Sequence, residues 1–217
     1  MTVLVVDPAD PDPDDIARAA AALAAGQLVV MPTDSVYGLA ADPALPAAVS
    51  RLFEAKGRPR SLSIPVLVAS MSHVDRLVEV DDRARRLIER YWPGPLTIVL
   101  PRRPGVDWEL GEARATLAVR MPDHPVALAL LTRTGPLAVT SANRSGESTP
   151  ATVPEIEAVL GDRAGVYLDA GPAPLGTPSA LVSLVGPALV LREGPIDLAE
   201  LMVTALQGTP EGGRATR

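Results

Sequence analysis

Short apolar runs alternate with helix-length stretches along nearly the whole chain, and that alternation restricts the fold to strands and helices packed in layers. Val3–Val6 reads as a strand, and Asp14–Ala25, alanine-rich, acidic at its start and followed by Gly26, as a capped helix. Leu28–Met31 is a strand ending at Pro32, YGLAADP a loop, and Ala47–Lys56 a helix with Val49, Leu52 and Phe53 on one side. Ile64–Val68, Leu96–Leu100, Leu117–Arg120 and Leu137–Thr140 read as strands, with helices over Arg83–Tyr91, Pro125–Thr132 and Pro154–Leu160. Val166–Leu168, Leu181–Leu184 and Ala188–Leu191 close the sheet, the last two joined at Gly186-Pro187, before a helix over Leu198–Leu206. The expected fold is α/β: a single domain over 1–207 with a twisted mixed sheet and flanking helices, and 208–217 as a disordered tail.

An apolar content of 47% in 217 residues supports a core of that size. The chain has no cysteine, which excludes disulfides and thiolate metal sites. Without a basic, apolar leader or a run of eighteen apolar residues, it reads as soluble and cytoplasmic, with no membrane association. A net charge of −6 and an aromatic content of 3% count against a general nucleic-acid binder, which needs cations for phosphates and aromatic faces for bases.

Four loops begin where apolar runs end and carry hydroxyls, amides or cations: PTDSVYGLA, KGRPR, TSANRSGESTP and GTPSA. In open α/β sheets ligands sit beyond strand ends, so the first and third of these are expected to share a crevice. Lys56 is the only lysine among twenty basic residues, and an ammonium is a compact charge where arginine is a planar fork. With Arg58 and Arg60 clustered beside it in the turn, and Arg58, Arg120 and Arg192 like Lys56 next to element ends, such a crevice suits a polyphosphate. No P-loop and no GxGxxG is present, so the nucleotide site must be of another type. His73 reads as solvated, His124 as capping or bracing the next helix, Asp34 and Asp42 as turn or capping residues, and Trp92 and Trp108 as packing anchors.

Taken in order, PTDSVYGLA, EAKGRPR, WPGPLT, LAVRMPDHP, PLAVTSANRSG and LREG resemble the YrdC-like threonylcarbamoyl-AMP synthase family in its short, single-domain form. The resemblance implies a concave, positively lined cavity and the making of threonylcarbamoyl-AMP and pyrophosphate from L-threonine, bicarbonate or CO2, and ATP. It implies Mg2+ carried by ATP rather than held by protein ligands, and transferase proteins that pass the product to tRNA; direct tRNA contact stays open. The alternative is a catalytically silent relative that binds RNA or the ribosome. By the same resemblance Lys56 and Arg58 are the catalytic pair on the ATP phosphates, with Arg60, Thr116, Ser141, Asn143, Thr149 and Arg192 on the nucleotide. Thr33, Arg120, Thr140 and Ser179 would hold threonine. Ala180, Ser183 and Glu193 depart from the family pattern, and Glu193 beside Arg192 threatens to neutralise that guanidinium.

Overall fold

A computed structural model describes residues 1–206 of the chain. Its strands are β1 (Thr2–Val5), β2 (Val29–Met31), β3 (Gly38–Ala41), β4 (Val66–Leu67), β5 (Leu96–Pro101), β6 (Thr116–Arg120), β7 (Leu137–Ser141), β8 (Val166–Asp169), β9 (Ala180–Ser183) and β10 (Leu189–Arg192). The helices are α1 (Pro13–Ala24), α2 (Pro46–Lys56), α3 (Met71–Leu77), α4 (Asp82–Tyr91), α5 (Pro125–Thr134), α6 (Val153–Leu160) and α7 (Leu198–Leu206). The expected tail, 208–217, lies outside the described residues. None of the helices described is long and apolar enough to cross a membrane.

All ten strands join one mixed sheet in the order β1-β8-β2-β3-β7-β4-β6-β5-β9-β10. Two expectations need correction. The YGLAADP segment is not a loop, because its Gly38–Ala41 stretch forms β3, paired antiparallel with both β2 and β7. Helix α3, started by Ser70 accepting from the His73 N–H, is absent from the expected elements, and His73 within it reads from the sequence as solvated. Its His73 is half-buried, and its Nδ1 accepts from the Ala69 N–H at 3.4 Å.

Side-chain alternation explains both the sheet's burial and the missed strand. Along β2, Val30 faces one apolar cluster while Val29 and Met31 face the other; β3 sends Leu39 and Ala41 one way and Ala40 the other. A strand covered on both faces carries no polar alternation to mark it. The first cluster, backed by Val49, Leu52 and Phe53 of α2, Leu87 of α4, Ile156 of α6 and Leu201 of α7, extends from β2 and β8 to Ile98 of β5, Val119 of β6 and Val182 of β9. The second, under α1 and α5, reaches only β1, β2, β3, β4, β7 and β8. One sheet face is therefore roofed by helices from β8 to β9, leaving Val3 and Val5 of β1 exposed, and the other is only half roofed. The unroofed half includes Thr97 and Val99 of β5, Thr116, Ala118 and Arg120 of β6, and Leu181 of β9.

Because Leu39 is fully buried between sheet and helices, Leu39→Ala should lower stability by about 2–5 kcal/mol. Urea unfolding, followed by circular dichroism, measures it; a change no larger than that of an exposed substitution would mean β3 is not part of the core.

Candidate active site

The unroofed half of the sheet is the floor of a cavity of about 410 Å3. All four hydroxyl- and cation-bearing loops reach it: Thr33 with Ser35–Gly38, Arg58 with Ser61–Pro65, Thr140–Ser141, and Pro178–Ser179. Arg58, Arg102, Arg120 and Arg192 are among the lining side chains, and among the described residues no carboxylate is. Such a surface attracts anions, and its volume is within the range of roughly 300–1,000 Å3 usual for small-molecule sites.

Arg120, at the end of β6, is the most tightly held of these cations. Its Nε donates to the Gly94 carbonyl (3.0 Å), one terminal nitrogen to Ser35 Oγ (2.7 Å) and the other to Asp34 Oδ1 (2.5 Å). Asp34 also accepts from the Asp123 N–H at 3.0 Å. This buried ion pair replaces the turn or capping role read for Asp34; Asp42 does hold a turn, accepting from the Ala44 N–H at 2.8 Å. A guanidinium has about five N–H donors, so two remain on Arg120, one on each terminal nitrogen. Burial lowers its pKa, Asp34 opposes that shift, and the neighbouring Arg192 adds to it.

Arg192, at the end of β10, donates to the carbonyl (3.0 Å) and hydroxyl (3.2 Å) of Ser179, whose hydroxyl also pairs with that of Thr97 at 2.8 Å. The Glu193 carboxylate is exposed and pairs with no cation among the described residues, so it does not neutralise Arg192. Gly194 explains why the LREG turn ends on glycine: its backbone lies against the Ser179–Ala180 backbone, where a Cβ would overlap Ala180. Arg58 follows the left-handed Gly57 that ends α2, and donates to the Leu62 (2.7 Å) and Ser63 (3.0 Å) carbonyls. Burial first, and Arg192 second, lower its pKa.

Lys56 stands behind this surface. Its buried ammonium donates to the Ser141 carbonyl (2.6 Å), Asn143 Oδ1 (2.6 Å) and, more weakly, Ser141 Oγ (3.4 Å), while its own carbonyl accepts from the Ser145 N–H (2.9 Å). Asn143 in turn donates to the Arg144 and Glu147 carbonyls, so one lysine and one asparagine fix the loop after β7. Burial, then Arg58, lower the Lys56 pKa to about 7.

Thr33, Arg58, Thr116, Arg120, Thr140, Ser141, Ser179 and Arg192 thus line one cavity, with Lys56 and Asn143 directly behind it. Thr149 is half-buried and does not line it. Arg60 is exposed, lies over the Phe53 ring at 4.8 Å and donates to Ser50, so it too is outside the lining. His124 starts α5 without a side-chain cap bond, and its buried Nδ1 has no partner. Trp92 and Trp108 pack against the core, as read. Ser35, Thr97 and Arg102 also line the cavity and were not read as site residues; Ser35 and Thr97 stand inside the PTDSVYGLA and WPGPLT phrases, the one signal that could have found them.

Fold and site together define an α/β protein built around a cationic, hydroxyl-lined small-molecule cavity. A family model described as Sua5/YciO/YrdC, telomere recombination, matches residues 21–194, and the chain belongs to this family. A Mycobacterium tuberculosis relative is 46% identical over 194 residues, covering 88% of this chain and 89% of its own. A Bacillus subtilis protein named threonylcarbamoyl-AMP synthase is 37% identical, over 88% of this chain and 57% of its own length. The structure of Pyrococcus abyssi Sua5 complexed with L-threonine superposes with a TM-score of 0.89 at 33% identity, over 95% of this chain and 61% of that one. Escherichia coli YciO gives 0.84 at 28% identity, over 90% of this chain and 97% of that one. The chain thus spans about three fifths of the longer B. subtilis and P. abyssi proteins.

An anion beside Lys56 favours its charged form. At pH 8, inorganic pyrophosphate binding should take up to about one proton more per site in the wild type than in Lys56→Met, and its affinity should fall as pH rises through 7. Calorimetry in two buffers of different ionisation enthalpy measures the difference; equal proton uptake would remove Lys56 from the anion's field. The same shift works on stability: between about 7 and 10.5 only the unfolded chain holds this proton, so the group's contribution increases with pH in that window.

Proposed function

We propose that the chain is a threonylcarbamoyl-AMP synthase, a nucleotidyltransferase that joins L-threonine, bicarbonate or CO2, and ATP and releases pyrophosphate. The observation that carries this reading is the cavity wall itself: guanidiniums and hydroxyls with no carboxylate among the described lining residues, and an Arg120 that keeps two N–H donors for a ligand. The relatives' names favour a synthase over the RNA-binding alternative.

Threonine's amine adds CO2 to give a carbamate and releases a proton. A carbamate oxygen then attacks the α-phosphorus of ATP, and the bond from that phosphorus to the β-bridging oxygen breaks, expelling pyrophosphate. No side chain has to act as a nucleophile. The site must bring two anions together and stabilise charge that builds on the phosphoryl oxygens, which is work for fixed cations and hydrogen-bond donors.

In this scheme Arg120 takes the threonine carboxylate on its two remaining donors, with Thr33, Thr140 and Ser179 around the amino acid. Arg58 and Arg192, near enough for one to perturb the other's pKa, take the phosphates, with Thr116 and Ser141 along the nucleotide. Lys56 and Asn143 fix the loop that carries Ser141, and the Lys56 charge adds to the field felt by the phosphates. Arg60 and Thr149 would need to turn inward to reach the nucleotide. Magnesium enters on ATP, and the serine and threonine hydroxyls offer hydrogen bonds to waters such an ion carries. Threonylcarbamoyl-transferase proteins acting on tRNA would take up the product.

Purified protein given threonine, bicarbonate, magnesium and ATP should release pyrophosphate only when threonine is present. Arg58→Ala should lower that rate at least about tenfold, the scale for losing a charge-assisted contact to phosphate, with Arg18→Ala on the exposed face of α1 as the unchanged control. Release equal to a protein-free blank would sink the assignment.

A further inference from the structure

Three guanidiniums, those of Arg58, Arg120 and Arg192, line the same cavity, and Arg192 lowers the pKa of both others. Mutual repulsion would push them apart or draw in a carboxylate that then blocks the ligand surface. The fold meets the repulsion from behind. Asp34 contributes a carboxylate that is buried, does not line the cavity, and pairs with Arg120 on the far side of the guanidinium. Every other ion pair among the described residues has a side chain at least one-fifth exposed, whereas both members of this one are nearly enclosed.

Asp34 also links separate parts of the site. Its Oδ1 joins β6, through Arg120, to the turn before α5, through the Asp123 N–H, and its backbone carbonyl accepts from the Leu175 N–H at 3.2 Å. Its Oδ2 is buried without a partner, and the imidazole of His124, near enough for Asp34 to act on its pKa, likewise has an unpartnered Nδ1. Both bonds to the Asp34 carboxylate thus fall on one oxygen, and Arg120 is the one cation it pairs with among the described residues. A buried carboxylate kept with an unfilled lone pair is costly unless its charge is needed.

We propose that Asp34 is the positioning residue for Arg120: it locks the guanidinium in the one orientation that presents two N–H donors to the cavity, and so sets the site's preference for a ligand carboxylate. This rests on the reading that Arg120 receives the carboxylate of threonine. Ser35 and the Gly94 carbonyl complete the lock, but each holds a neutral bond that leaves the arginine charge uncompensated. Asparagine at position 34 is nearly the same size and keeps an oxygen for Arg120 and Asp123, yet removes the charge.

Asp34→Asn should therefore fold, bind ATP within about threefold of the wild type, and bind threonine at least about tenfold more weakly by calorimetry. Threoninamide, which lacks the carboxylate, should bind weakly to both proteins and with no difference between them. Independently of any ligand, the Arg120 Nε–H should exchange with solvent at least about tenfold faster in Asp34→Asn by nitrogen-15 NMR, because the bond to Gly94 then forms only part of the time. A wild type that ignores threonine would remove the functional reading. An unchanged Nε–H exchange rate, or an equal loss of ATP and threonine affinity, would overturn the positioning role.

Discussion

Everything distinctive in this molecule follows from a ten-stranded sheet that is roofed across its central strands on one face and only halfway on the other. Helices α2, α4, α6 and α7 back the first face, while α1 and α5 cover the β1-β8-β2-β3 side of the second. The strands beyond them must still satisfy the pleat, so their second-face side chains point into an open hollow. On β6 those residues are Thr116, Ala118 and Arg120, spaced by two, while Leu117 and Val119 between them fill the opposite core. A rigid, fully packed face is what allows the other face to carry charge at fixed positions.

The hollow concentrates arginine, and its electrostatics are arranged in depth. Arg58, Arg102, Arg120 and Arg192 form the lining, and the carboxylate that balances Arg120 stands outside it. Placing Asp34 behind the guanidinium, not in front, keeps the ligand-facing surface free of negative charge. Burial lowers the pKa of each of these four arginines, which means the fold holds them ionised at a cost an anionic ligand would relieve. The same logic applies to Lys56, whose ammonium is enclosed by two carbonyl-type oxygens and a hydroxyl in a space suited to a point charge; a planar guanidinium would not make the same short contacts from that position.

Much of this was legible in the linear chain. Apolar runs and caps located most strands and helices, because hydrophobic period and turn chemistry are local properties. The six phrases from PTDSVYGLA to LREG marked the family and most of the cavity-lining residues. Strand β3 escaped, since Gly38–Ala41 is buried on both sides and has no polar partner to alternate with, and α3 escaped because only Val74 and Leu77 of its seven residues are buried. Ser35, Thr97 and Arg102 were passed over because a single hydroxyl or cation at a strand end looks alike whether it faces a cavity or solvent.

The sequence by itself determined the α/β class, the family and the set of residues that could meet an anion, because these depend on which residues are neighbours along the chain. Tertiary structure alone decided their arrangement: that Asp34 pairs with Arg120 across 86 positions, that Lys56 closes on Ser141 and Asn143 and stands behind the lining, and that Arg60 turns to Phe53. Those choices depend on strand order and register, which bring distant residues within a few ångströms, and no local pattern records which distant strand end will be opposite.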